Sequence, residues 1–141
     1  MGLIADGESP SFAPLTGGVS SDIWRVDLEN GPICIKRALA KLKVAADWRA
    51  PVRRNASEVA WIEKAAAIVP SSAPEILGQD AAAGLFAMPF YDPADYKLWK
   101  NELRDGRADL AVAASVGDRL GRIHAATAND SDVAHAFAND A

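Results

Sequence analysis

Ile23-Trp24-Arg25-Val26-Asp27-Leu28, Glu29-Asn30-Gly31-Pro32 and Ile33-Cys34-Ile35-Lys36 follow one another without a gap, and their reading decides the fold. The first run alternates apolar and polar residues, the period of a half-buried strand. The second is a turn signal: Asn-Gly supplies positive φ, and proline ends the run. The third is β-branched and closes on a lysine. Two strands joined by so short a turn predict an antiparallel hairpin.

Upstream of the hairpin stands Leu15-Thr16-Gly17-Gly18-Val19-Ser20-Ser21. Glycines let a turn bring backbone N–H groups against phosphate oxygens, and serine hydroxyls add donors. By itself, Gly-Gly before a strand is more often a plain turn. Downstream, residues 36–55 hold Lys36, Arg37, Lys41, Lys43, Arg49, Arg53 and Arg54 against Asp47 alone. Such a segment is either a solvated loop or a surface for a small anion.

A helix is expected from Asn55, a good N-cap with Glu58 at capping-box spacing, and Pro70 ends it. Val59, Ile62 and Ala66 form its apolar stripe. Glu58 is also placed to pair with Lys36, with Glu63 as a rival. Glu75–Gly78 and Gly84–Met88 read as two short strands, and Pro89 and Pro93 bracket a break. The run Phe86-Ala87-Met88-Pro89-Phe90-Tyr91 is either a core strand or the greasy edge of a slot for a planar ring.

The longest helix is expected over 108–128. Val112, Val116, Leu120 and His124 form one row along it, and Ala113, Gly117, Gly121 and Ala125 the next. Glycine costs about 1 kcal/mol relative to alanine inside a helix, so the pair Gly117 and Gly121 predicts a backbone packed closely against it. Asp130-Ser131-Asp132 reads as a helix-terminating loop rather than a metal pair, and His124 as a packed residue rather than a catalyst. Strands early and helices late indicate the α+β class.

The 141 residues are half hydrophobic and 24% charged, which excludes a disordered or low-complexity chain. Net charge of −4 argues against a dedicated nucleic-acid binder. No apolar run approaches the roughly 20 residues of a membrane span. Residues 1–14 carry Asp6 and Glu8 and no basic side chain, unlike a secretory or transit signal. Cys34 is the single cysteine, so there is no internal disulfide and no cysteine-based zinc site. A cytoplasmic protein that engages neither nucleic acid nor membrane is the expectation.

The order of these features is that of a kinase N-lobe: glycine turn, strand, lysine strand, glutamate helix, two strands, linker, helix. The chain resembles the aminoglycoside phosphotransferase and choline kinase-like family. Residues 15–26 look like its nucleotide loop, Ile33-Cys34-Ile35-Lys36-Arg37 like its lysine strand, and Asn55-Ala56-Ser57-Glu58 like the start of its glutamate helix. Leu120-Gly121-Arg122-Ile123-His124-Ala125 looks like its helix ending in a Leu-His or Ile-His pair.

The resemblance implies a kinase-like N-lobe over residues 1–91, an antiparallel sheet plus one helix, and a linker with the first C-lobe helix over 92–141. It implies ATP as the nucleotide. Gly17, Gly18, Ser20 and Ser21 would cover the phosphates. Lys36 would contact the α- and β-phosphates, with Glu58 orienting it. Met88, Pro89, Phe90 and Tyr91 would read adenine. Asp22 departs from the pattern, since an acid beside a phosphate loop is unfavourable unless it points away.

The family's His-x-Asp loop and metal-binding Asp have no counterpart here: His124 precedes Ala125-Ala126, and His135 precedes Ala136-Phe137. The chain is therefore expected to hold no catalytic or metal residue and to be inactive alone. Mg2+ and a small hydroxylated substrate belong to the complete enzyme. The long helix, left exposed, would favour a homodimer. A non-catalytic nucleotide-binding or protein-interaction module, and a plain α+β scaffold, are the alternatives.

Overall fold

Leu28 and Gly31 face each other across the Asn30-Gly31 hairpin in the computed structural model, which describes residues 2–138. Two residues, Glu29 and Asn30, therefore turn the chain, and the positive φ of 108° falls on Gly31. The hairpin joins β2 (Ser21–Leu28) to β3 (Gly31–Ala38), so Pro32 lies within β3 instead of before it. Ahead of it runs β1 (Ser11–Leu15), and behind it α1 (Arg54–Ile68), β4 (Gly78–Asp80) and β5 (Leu85–Pro89). Then come α2 (Trp99–Arg104), α3 (Leu110–Thr127) and α4 (Ser131–Ala136). The strands form one antiparallel sheet in the order β1-β2-β3-β5-β4, and the class is α+β.

Several boundaries differ from the sequence expectations, each for a physical reason. β1 was not expected; its residues are almost all exposed and carry no alternation, so only pairing with β2 defines it. The strand expected at Glu75–Gly78 is β4 at Gly78–Asp80. Asp80 Oδ1 accepts from Ala83 N–H at 2.9 Å, which sets the turn at 81–84 and shifts the pairing downstream. Asn55 is not an N-cap. Arg54, Asn55 and Ala56 donate their amides to the carbonyls of Pro51, Val52 and Arg53, so the preceding turn satisfies the helix start. The Asn55 side chain is instead buried, with only 2% of its surface exposed.

The chain divides into two units, Met1–Lys64 with Ala73–Phe90, and Ala65–Ser72 with Tyr91–Ala141. In the first, Phe86 and Ala87 on β5 are fully buried and Val26 and Val59 nearly so. Gly84 precedes β5 at φ +65°, and a Cβ there would collide with Val52 Cγ1. Gly84→Ala therefore combines a left-handed backbone penalty with overpacking. It is expected to destabilise the chain by about 2 kcal/mol or more, read as a lower urea midpoint. An unchanged midpoint would refute this account of Gly84.

In the second unit, the Asp109 carboxylate caps α3, accepting from Ala111 N–H at 2.8 Å and Val112 N–H at 3.2 Å. Asp130 caps α4 in the same way, through Asp132 and Val133 N–H at 2.9 and 3.0 Å. The expected terminating loop is thus a helix start. The short helix α2 was likewise not expected. On α3, Ile123 is the buried residue, while His124 is exposed and not packed as expected. A Cβ at Gly117 or Gly121 would meet nothing within 4 Å, so the close backbone expected there is not found among the described residues. No described helix is long and apolar enough to cross a membrane.

Candidate functional site

Side chains directly opposite in an antiparallel sheet share a face, and alternate residues change face. Lys36 lies opposite Ile23 on β2 and Phe86 on β5, and Leu15 on β1 lies opposite Ile23. Cys34, one step along the same face, lies opposite Arg25 and Met88. One sheet face therefore carries Lys36, Ile23, Phe86, Cys34, Arg25 and Met88 together.

Lys36 Nζ forms an ion pair with Glu58 Oε1 on α1. Backbone carbonyls already serve the first amides of α1, so the Glu58 carboxylate is free for the lysine. Glu63, the rival, is exposed one turn further along. The pair is partly exposed, so it is worth about 0–1 kcal/mol to the fold. Its consequence is positional: it holds a cation over the sheet face beside α1.

The glycine segment joins β1 to β2 as a hairpin loop. Gly17 has φ +108°, a conformation that disfavours any residue with a Cβ. A Cβ on Gly18 would press on Ser21 O at 3.2 Å and Ile23 Cδ1 at 3.4 Å. Ser21 is buried and Ser20 half-buried. The Ser20 carbonyl accepts from Leu39 N–H at 3.1 Å and Arg54 Nη2 at 2.5 Å.

Asp22 lies opposite Arg37, hence on the other face from Lys36, and its carboxylate pairs with Lys43 Nζ at 2.6 Å. The acid beside the loop is neutralised and turned from the lysine.

Of the four residues expected to read adenine, Met88 and Pro89 close β5, and the Phe90 ring lies under the Arg25 guanidinium at 4.8 Å. Arg25 Nε donates to Asp27 Oδ1 at 2.7 Å, and Asp27 Oδ2 accepts from Ser11 Oγ at 2.9 Å. Tyr91 belongs to the second unit and packs edge-on against Tyr96, with centroids 4.8 Å apart. The structure thus brings Lys36, Glu58, Cys34 and Met88 to one face, and the glycine loop leads into β2, the strand paired with the lysine strand β3.

No protein-family model matches the chain, and no curated protein shows significant similarity to it. The geometry above therefore carries the functional argument. Among the described residues, no group of three or more His, Cys, Asp or Glu side chains is placed to hold a metal ion.

Two residues escaped the sequence reading. Arg25 appeared only as a polar position of a strand, and its stacking on Phe90 pairs residues 65 apart in the chain. Arg54 appeared only as one of many basic residues.

Burial pushes the Cys34 thiol above its ordinary range, while the Lys36 charge pulls the other way more weakly. The thiolate is the reacting form, so Cys34 is expected to alkylate more slowly at neutral pH than in the urea-unfolded chain. Equal rates with iodoacetamide would refute the burial.

Proposed function

We propose that this chain is the ATP-binding part of a small-molecule phosphotransferase of the aminoglycoside phosphotransferase and choline kinase-like type. The ion pair between Lys36 and Glu58, beside a glycine hairpin, is the observation that carries this reading. A lysine held by a helix glutamate presents a fixed cation to phosphate oxygens, and the glycine loop leaves room for phosphates to approach backbone N–H groups.

Further support comes from the order of elements and from the sheet face beside Lys36, where Ile23 and Met88 lie with Cys34 and Arg25. The catalytic loop and the Mg2+ ligands of the family have no counterpart in the sequence. The proposed role is therefore nucleotide binding, with transfer of the γ-phosphate to a hydroxylated small molecule assigned to the complete enzyme. The exposed Leu110, Val112 and Leu120 of α3 favour self-association as part of this reading.

Equilibrium dialysis of ATP against the full chain tests it. Saturable binding, competed by ADP, is the expected result. Its absence would overturn the reading in favour of an α+β scaffold.

A further inference from the structure

Arg54 is the first residue of α1, one turn ahead of Glu58. Its guanidinium reaches four backbone carbonyls. Nη2 donates to Ser20 O at 2.5 Å and Leu39 O at 2.9 Å, and Nη1 to Ala50 O at 3.1 Å and Pro51 O at 3.2 Å. These carbonyls belong to three separate places: the end of the glycine loop, the chain just past β3, and the turn that opens α1.

Three neighbouring basic residues behave differently. Lys41 and Arg49 are held by Asp47, and Lys43 by Asp22. Arg54 makes no ion pair with a carboxylate among the described residues. A half-buried cation is therefore balanced by carbonyl dipoles alone. Only a planar fork with five N–H donors spans such a set, and a lysine ammonium does not.

Two backbone bonds add to the tie. Leu39 N–H donates to Ser20 O at 3.1 Å, and Lys43 N–H to Val19 O at 2.7 Å. The carbonyls of Val19 and Ser20 are thus both engaged, which removes two acceptors that would repel phosphate oxygens. Gly17 and Gly18 stay outside this tie.

We propose that Arg54 is a positioning residue that fastens the glycine hairpin to the helix bearing Glu58, making the phosphate loop and the lysine–glutamate pair one pre-organised anion cradle. This rests on the nucleotide reading of the site. A displaced loop loses contacts to phosphate but not to the base, so the effect falls on ATP and spares adenosine.

The test uses the full chain carrying Arg54→Lys or Arg54→Met, with two readouts. The first is amide hydrogen exchange of residues 16–21 without ligand. The second is the ratio of ATP to adenosine affinity. Both variants are expected to speed exchange in the hairpin and to weaken ATP by about tenfold or more, with adenosine changed less than about threefold.

Arg54→Lys keeps the charge and most of the stem, so it provides a folded variant if Arg54→Met does not fold. Unchanged hairpin exchange, equal loss of ATP and adenosine, or full ATP affinity in Arg54→Lys would each overturn the proposal. A wild-type chain that binds no ATP overturns the nucleotide reading instead, and exchange in the hairpin then judges the clamp by itself.

Discussion

Lys36→Ala is expected to weaken ATP binding by about 10- to 100-fold, the worth of one charge-assisted hydrogen bond to phosphate. The substitution acts twice. It removes the cation presented on the sheet face, and it leaves the Glu58 carboxylate beside the phosphates with nothing to neutralise it. Stability should hardly move, because a pair with 22% and 39% of its side-chain surfaces exposed contributes about 0–1 kcal/mol. The two effects therefore separate: affinity falls while the urea midpoint stays.

Glu58→Gln supplies the complementary arm. It keeps the lysine charge but loosens its placement, so a smaller loss is expected. The double variant should fall short of the sum, because both changes act on one pair. Equal ATP affinity in the wild type and in Lys36→Ala would remove the lysine from the site.

Phe86→Ala is expected to cost about 3–5 kcal/mol of folding stability. Phe86 is fully buried on β5, whose neighbours are β3 on one side and β4 on the other. Opposite it on β3 stands Lys36, so the cavity opens directly beside the residue that defines the site. Domains of this size are stable by about 5–15 kcal/mol, so the loss takes a large share of the total. A urea titration followed by circular dichroism reads it as a fall in midpoint at an unchanged slope. Phe86→Leu should be milder, since it refills much of the volume. A wild-type midpoint in Phe86→Ala would mean that the sheet core is centred elsewhere.

Much of the candidate site is legible along the chain because its signals are local. Asn30-Gly31 between two β-branched runs announces the hairpin. Gly17-Gly18 announces a loop that requires freedom at φ. Lys36 and Glu58 are named by their places at the end of a strand and the start of a helix. Other features escape because the responsible partner is remote. β1 is almost wholly exposed and exists through its ladder with β2. The choice of Glu58 over Glu63 is made by the fold, which sets Glu58 against Lys36 and leaves Glu63 exposed.

Local chemistry also misleads where burial competes with it. Asn55 has the spacing of a cap, yet the turn before α1 supplies carbonyls to the first amides and the asparagine is enclosed. Asp130, by contrast, looked like the end of a helix and begins one, because its side chain accepts from Asp132 and Val133. Both errors concern which oxygen reaches an unpaired amide first, a contest that a linear pattern does not display.

By itself the sequence determined the α+β class, the central hairpin, the glycine loop, and the residue types able to meet a phosphate. These depend on φ preference, side-chain period and charge, all properties of neighbouring residues. The tertiary structure alone decided the strand order, the pairing of Lys36 with Glu58, the stacking of Arg25 on Phe90, and the four carbonyls gathered by Arg54. Each of these joins residues brought together only by folding, where burial and the need to satisfy every polar group choose among partners that the sequence leaves equivalent.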